Sequence, residues 1–151
     1  MSERPHGLWD WALVAYARPG VQDQCLICQD AHGQNVPLLL WAAWRAATGR
    51  PLDAELVEAA VDTARAWEEA AVLGLRALRR TLKKPVPDLD DAAREAVRVE
   101  IKRVELLAER KLLEGLEALD AAPAGPPRPI APALVEVAKT WARVVPRADL
   151  E

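Results

Sequence analysis

Two long segments of this chain, joined by only three residues, have apolar side chains at the three- and four-residue spacing of an α-helix. The first runs from residue 53 to about residue 84, the second from 88 to about 119, with Pro-Val-Pro at 85–87 between them. Apolar positions at this spacing form one face of a helix. A connection this short makes the two helices antiparallel neighbours. The pattern therefore predicts a long antiparallel hairpin, with a kink at Gly74 because glycine weakens a helix interior.

Four shorter segments also have helical spacing, and their ends are set by residues that start or stop helices. Pro37 suits the first turn of a helix, where its missing N–H would have no partner, and Gly33 and Gly49 are typical helix stops. The segment that begins at Pro37 is apolar on nearly every side, which predicts a buried central helix. The four predicted helices cover residues 8–18, 21–32, 37–48 and 132–145.

The composition agrees with a helical fold. There is no phenylalanine, and no Asn-Gly or Asp-Gly turn connects alternating apolar runs. A length of 151 residues is that of one ordinary domain. The sequence predicts an all-α fold, a single-domain helical bundle of about six helices built on the long hairpin. We expect a bundle over residues 1–120, a proline-rich linker over 121–130 and a docked C-terminal helix over 131–146.

Composition and charge disfavour several classes of function. The longest run without a polar side chain, residues 36–44, is far shorter than the ~20 residues of a membrane span, so no membrane partner is expected. A net charge of -3 disfavours general nucleic-acid binding. The N-terminus has no secretory signal pattern and there are only two cysteines, so the expected location is cytoplasmic.

Catalytic groups are also scarce. The only serine is Ser2, beside the N-terminus, and the sequence contains no HExxH motif and no glycine-rich phosphate loop. We therefore expect no catalytic residue and no cofactor.

Two cysteines and a histidine share one face of the second helix. Cys25, Cys28 and His32 are spaced i, i+3 and i+7, and His6 is the only other residue of these two types. Three or four such side chains suit zinc, and a cysteine with His32 as its base is a conceivable nucleophile. Free cysteines, however, are among the most often buried residues. We predict that both cysteines pack in the core and that the chain binds no metal.

A polar segment, residues 29–35, separates two apolar segments. It contains Gln29, Asp30, His32 and Asn35. Asn and Asp are common at caps and turns because their side chains hydrogen-bond nearby backbone groups. Asn35 is therefore expected to cap the third helix and Asp30 to reach backbone or an arginine. The alternative is a small polar pocket formed by these four side chains.

Residues 76–84 contain five basic and no acidic side chains. We call Arg76, Arg79, Arg80 and Lys83 the basic cluster. Two interpretations are equally supported. The cluster complements the dipole of its helix end and pairs with the acidic residues at 88–91, or it binds a partner with an acidic surface.

The chain has six tryptophans, and a stacking platform for bases or a ligand is one interpretation of them. In a chain without phenylalanine, tryptophan is the obvious large core residue, so we predict that they pack in the core or between helices. They are Trp9, Trp11, Trp41, Trp44, Trp67 and Trp141.

Many of these residues occur in a pattern that resembles a known family. In the first half they are Leu8-Trp9-Asp10-Trp11, Tyr16, Gly20-Val21, Cys25-Leu26, Gln29-Asp30, His32-Gly33, Asn35-Val36 and Leu38-Leu39-Leu40. In the second half they are Leu75-Arg76, Arg79-Arg80, Leu82-Lys83, Ile101-Lys102, Glu105-Leu106 and Ala108-Glu109-Arg110. Over residues 8–119 the chain resembles an uncharacterised bacterial family of short all-helical proteins, catalogued as a domain of unknown function. It departs from that pattern at Cys28 and Pro37. The resemblance implies an all-helical fold and no particular activity, substrate or cofactor.

The missing catalytic groups, the charged hairpin and the separate C-terminal helix lead to one hypothesis. The chain is a non-enzymatic helical module that binds another protein, one with an acidic surface, or a second copy of itself. The alternative is a small-molecule binder or an enzyme that uses the polar segment 29–35. A convergent pocket there, with titrating groups of perturbed pKa, would favour the alternative.

Overall fold

The computed structural model describes residues 7–142, and most of these residues are helical. The α-helices are α1 Leu8–Tyr16, α2 Val21–His32, α3 Val36–Ala47, α4 Ala54–Trp67, α5 Leu73–Thr81, α6 Asp91–Glu117 and α7 Ile130–Ala142. A π-helical turn, Glu68–Val72, joins α4 to α5 without a break. Within residues 7–142 there are therefore six continuous helical rods and no strand, which confirms the all-α prediction.

The rod made of α4 and α5 packs along α6 as the predicted antiparallel hairpin. Two contacts show the direction of pairing. Arg79 Nε donates to Glu105 Oε2 at 2.7 Å, and Arg94 Nη1 donates to the carbonyl oxygen of Leu82 at 2.7 Å. Residue numbers rise on one rod as they fall on the other, so the two rods run in opposite directions.

The irregular turn in the first rod lies earlier than the sequence suggested. The expected position was Gly74, but Gly74 lies within the regular α-helix α5. The π-helical turn ends two residues before it, at Val72. A single π-helical turn inserts an extra residue into an α-helix and is frequent at functional sites.

Aspartates start two of the helices. The Asp53 carboxylate accepts a hydrogen bond from the Leu56 N–H at 2.8 Å, as expected for the cap of α4. The start of α6 was expected at Asp88, but Asp88 has a positive φ of 67° and belongs to the turn. Asp90 caps α6 instead, accepting from the Ala93 N–H at 2.9 Å.

Helix α3 is the centre of the molecule, as predicted. It contacts α1, α2, α4, α6 and α7, and Leu38, Trp41, Trp44 and Ala42 on it are buried. The same helix buries Arg45, which is 1% exposed. The hydrophobic core of the part of the chain that the structure describes is therefore centred on α3.

Hydrogen bonds from Arg45 on α3 hold the start of the proline-rich segment that follows α6. Its guanidinium donates to the Pro51 carbonyl at 2.6 Å and to the Asp120 carboxylate at 2.8 Å. A second attachment is a close approach of Gly49 to Gly125, whose N–H donates to the Thr48 carbonyl at 2.8 Å. Gly49 has a φ of 69°, and a Cβ added there would collide with the Gly125 backbone.

Helix α7 packs on α3 and α4 through Val137, Ala138 and Trp141, which are buried. The Trp141 indole N–H donates to the Gly33 carbonyl at 2.9 Å, and Arg65 lies over the Trp141 ring at 4.4 Å. Val144, also expected on this helix, lies outside the described residues, as do all positions beyond Ala142.

The periphery of the bundle is more apolar than the sequence suggested. Val97 and Val104 belong to the apolar spacing that predicted α6 but are 53% and 37% exposed. Leu26 on α2 is 43% exposed. On α6, Leu113 and Leu116 are buried instead. Apolar spacing alone therefore does not identify the buried positions of α6.

Candidate functional site

A cleft of about 320 Å³, which we call the polar cleft, lies between the end of α2, the turn after it, the π-helical turn and α5. Its lining residues come from four places in the sequence and are Gln29, Asp30, Gly33, Gln34, Glu68, Leu73, Arg76 and Arg80. Two guanidinium groups, two carboxylates and two carboxamides therefore share one cleft. A cleft lined by hydrogen-bonding groups of this variety can orient a small polar molecule.

The contacts within the cleft are long or exposed. Arg76 Nη2 donates to Gln29 Oε1 at 3.3 Å. The Arg80 guanidinium lies 3.7 Å from the Asp30 carboxylate, and both side chains are more than half exposed. Exposed pairs of this kind contribute about 0–1 kcal/mol. A ligand can therefore replace these contacts at little cost.

Gln34 is the unusual residue of the cleft. It is 3% exposed, and neither its amide nitrogen nor its amide oxygen has a hydrogen-bond partner within residues 7–142. A buried polar atom without a partner costs about 1–3 kcal/mol. A buried polar group without a partner calls for an explanation, such as a water, an ion or another bound molecule that pairs with it.

Glu68, at the start of the π-helical turn, is the half-buried acid of the cleft. Burial raises the pKa of Glu68 above its ordinary value, and the charges of Arg76 and Arg65 and a hydrogen bond from Asn35 offset this rise only in part. Its carboxylate is therefore incompletely compensated by the chain. Desolvated, perturbed carboxylates occur preferentially at functional sites.

The structure divides the polar segment predicted from the sequence. Gln29 and Asp30 line the cleft, whereas His32 is half-buried outside its lining. Asn35 caps α3, its side-chain oxygen accepting from the Leu38 N–H at 3.0 Å. Gln34, not singled out from the sequence, lies between the cap and the cleft.

The basic cluster is divided in the same way. Arg76 and Arg80 line the cleft. Arg79 turns to α6, where it forms an ion pair with Glu105 at 2.7 Å, and both side chains are largely covered. Lys83 is exposed. These pairings go to α2 and the middle of α6 and not to the acidic residues at 88–91.

The two cysteines lie half-buried on α2. Burial, followed by the neighbouring Cys28, raises the pKa of the Cys25 thiol. A raised pKa keeps a thiol protonated at neutral pH and disfavours a nucleophilic role. Within residues 7–142, no three His, Cys, Asp or Glu side chains are grouped to hold a metal ion. His6 lies outside the described residues.

A second cavity, of about 300 Å³, lies across α2 from the polar cleft, among α1, α2, α3 and α6. We call it the apolar groove. Leu13, Leu26 and Leu106 line it and are 51%, 43% and 53% exposed. At its polar side, burial raises the pKa of Glu109. Gln29 lines both cavities, so α2 separates them with a single shared side chain.

The tryptophans contribute to packing. Trp41, Trp44 and Trp141 are buried, and Trp9, Trp11 and Trp67 are half-buried against the core. None of them lines the polar cleft.

Comparison with known proteins identifies one family. A family model described as "Protein of unknown function (DUF2390)" matches residues 7–116, which include α1 to nearly the end of α6 and every residue of the polar cleft. No curated protein and no solved structure matches the chain. No helix within residues 7–142 is long and apolar enough to span a membrane.

Proposed function

Because the chain belongs to this family of proteins of unknown function (DUF2390), we propose its function from its own geometry: it binds a small polar ligand in the polar cleft. The observation that supports this most is the Gln34 carboxamide, which is 3% exposed and has no partner within residues 7–142. Folding leaves that amide unsatisfied at a cost of about 1–3 kcal/mol. Both polar atoms of the amide are covered in the chain alone, so a ligand that opens the lining and hydrogen-bonds to the amide recovers this energy as affinity.

The proposal is for binding and not for catalysis. The cleft is lined by carboxylates, carboxamides and guanidinium groups, and its lining contains no hydroxyl, thiol, amine or imidazole. Of the side chains that act as nucleophiles in enzymes, the lining therefore contains only carboxylates. Charges and carboxamides fixed around a cavity are sufficient for selective, reversible binding.

The position of the cleft also suits a binding site. The Trp141 indole N–H donates to the Gly33 carbonyl, and Asn35 caps the start of α3 two residues later. Gln34 therefore lies between two fixed backbone positions. Rigid support of this kind lowers the entropy lost on binding.

A second function, binding of another protein, is favoured by the apolar groove. Its three half-exposed leucines form an apolar surface between α1, α2 and α6, of the type that accepts the apolar face of an amphipathic helix. This surface is separate from the basic cluster, in which Arg79 is paired with Glu105 at 2.7 Å.

Affinity capture from a native lysate distinguishes the two functions when combined with mass spectrometry of the intact complex. Two variants serve as matched probes: Gln34→Met alters only the polar cleft, and Leu106→Ser alters only the apolar groove. We expect a bound small molecule that is lost in Gln34→Met and retained in Leu106→Ser. A stoichiometric protein lost in Leu106→Ser, without any small molecule, would replace the first function by the second.

A further inference from the structure

The charges of the polar cleft restrict the class of its ligand. Its lining has two cations, Arg76 and Arg80, and two anions, Asp30 and Glu68, so its formal charge is balanced. An anion such as phosphate would lie against two carboxylates, and a simple amine would lie against two guanidinium groups. Like charges in contact at a binding surface strongly oppose binding. A ligand with both charges avoids both penalties.

The cations of the cleft have unused bonding capacity. Arg76 donates to the neutral amide of Gln29 at 3.3 Å, and a guanidinium has five N–H donors. Arg80 is 61% exposed and only loosely paired with Asp30, at 3.7 Å. Arginine binds a carboxylate through two parallel hydrogen bonds. A ligand carboxylate is therefore matched by this side of the cleft.

The carboxylate of Glu68, in contrast, would be stabilised by a further positive charge. This carboxylate is half-buried, and burial raises the pKa of Glu68 despite the nearby arginines. A ligand ammonium group would supply the compensation that the chain leaves incomplete. Gln34 lines the same cleft, and its covered amide has one donor group and one acceptor without a partner within residues 7–142.

We infer that the ligand of the polar cleft is a free α-amino acid, with its carboxylate on Arg76 and Arg80 and its ammonium group on Glu68. The inference rests on the proposed function and assigns the substrate class of the same site. Leu73, 48% exposed, is the apolar side chain of the lining. An aliphatic amino acid such as leucine therefore fits best, with its side chain against Leu73.

Isothermal titration calorimetry of the full chain tests this with the twenty standard amino acids and with two analogues of leucine. Isopentylamine lacks the carboxylate, and 4-methylpentanoate lacks the ammonium group. We expect at least one aliphatic amino acid to bind, and each analogue of leucine to bind about tenfold or more weakly, which corresponds to one lost charge-assisted contact.

Two variants connect each charge of the ligand to its residue. The Glu68→Gln variant lacks the partner of the ammonium group, so it should bind leucine no more tightly than it binds 4-methylpentanoate. The Arg76→Gln variant lacks a partner of the carboxylate, so it should bind leucine no more tightly than it binds isopentylamine. Lys83→Ala, which changes an exposed cation of the same helix end outside the cleft, should leave every affinity unchanged. Circular dichroism of each variant verifies that it is folded.

The outcomes separate this inference from the proposed function. If no amino acid binds, but a molecule captured from lysate is lost in Gln34→Met, the zwitterionic class is wrong and the polar cleft remains the site. If leucine binds with equal affinity to wild type, Glu68→Gln, Arg76→Gln and Gln34→Met, both proposals are wrong. Equal binding of leucine and either analogue to the wild-type chain would overturn the inference alone.

Discussion

Replacing Gln34 by methionine should make the ligand-free chain more stable. The Gln34 side chain is 3% exposed, and both polar atoms of its amide lack a partner within residues 7–142. Removing a buried unsatisfied group recovers about 1–3 kcal/mol. Methionine has a similar length and shape and leaves no cavity, so little of this gain is lost to packing. For a chain of this size, each kcal/mol raises the melting temperature by about 2–4 °C.

Asn35 provides a matched control beside it. This carboxamide is also buried, at 6% exposure, but its oxygen accepts the capping hydrogen bond from Leu38. Asn35→Ala should therefore lower the free energy of unfolding by about 0.5–2 kcal/mol. Guanidinium denaturation followed by far-ultraviolet circular dichroism measures both changes, provided that the denaturant dependence stays constant. If Gln34→Met lowers stability as Asn35→Ala does, then Gln34 is bonded in the folded chain and the reasoning is refuted.

Three further predictions concern the rest of the fold. Arg79→Ala should lower the free energy of unfolding by about 1–3 kcal/mol, because it leaves the covered carboxylate of Glu105 unpaired. Chemical denaturation measures this change, and the control variant Lys83→Ala should stay within about 0.5 kcal/mol of wild type. Trp141→Ala should lower the free energy of unfolding by about 3–5 kcal/mol because the indole is buried. Lys139→Ala, on the same helix, is the control, and equal melting temperatures of the two variants would show that the docking of α7 does not depend on Trp141. Burial raises the pKa of Glu109, so the folded chain holds this proton more tightly than the unfolded chain, and stability should fall as pH rises from about 4.3 through the folded pKa. Melts across that range should show a shallower fall in Glu109→Gln, and an identical slope would exclude this group.

Helix existence and order could be predicted because each depends on local chemistry. Apolar spacing, Asp53 at the start of α4 and Pro37 in the first turn of α3 act within a few residues of themselves. The burial of α3 also followed from its sequence, since a helix that is apolar on every side needs partners on every side.

The core of the hairpin could not be predicted in the same way. Val97 and Val104 belong to the apolar spacing that predicted α6 but are exposed, whereas the Arg94 and Arg98 side chains on the same helix are only 10% and 14% exposed. Long arginine stems cover apolar surface while their charged ends remain bonded. Spacing identifies a face of a helix but does not indicate which of two adjoining faces its partner covers.

The candidate site was predictable in part. The unusual concentration of polar groups at 29–35 and of arginines at 76–80 identified its two sides. Asp30 was expected to reach backbone or an arginine, and it lies near Arg80, but the sequence did not indicate that the two sides form one cleft. Their meeting depends on how α5 packs after the π-helical turn, which is a tertiary property. No sequence pattern identified Gln34, because its burial without a hydrogen-bond partner depends on how distant parts of the chain pack around it.

The binding site itself is most directly tested by nuclear magnetic resonance of the ¹⁵N-labelled full chain, titrated with the low-molecular-weight fraction of a native cell extract. We expect the Gln34 side-chain amide resonances to shift, together with backbone amides of residues 29–34 and 68–80, and those near Leu106 to remain in place. Gln34→Met should abolish the backbone shifts. Shifts confined to Leu13, Leu26 and Leu106, or an extract that shifts no resonance of the cleft, would contradict the assignment of a small-ligand site to the polar cleft.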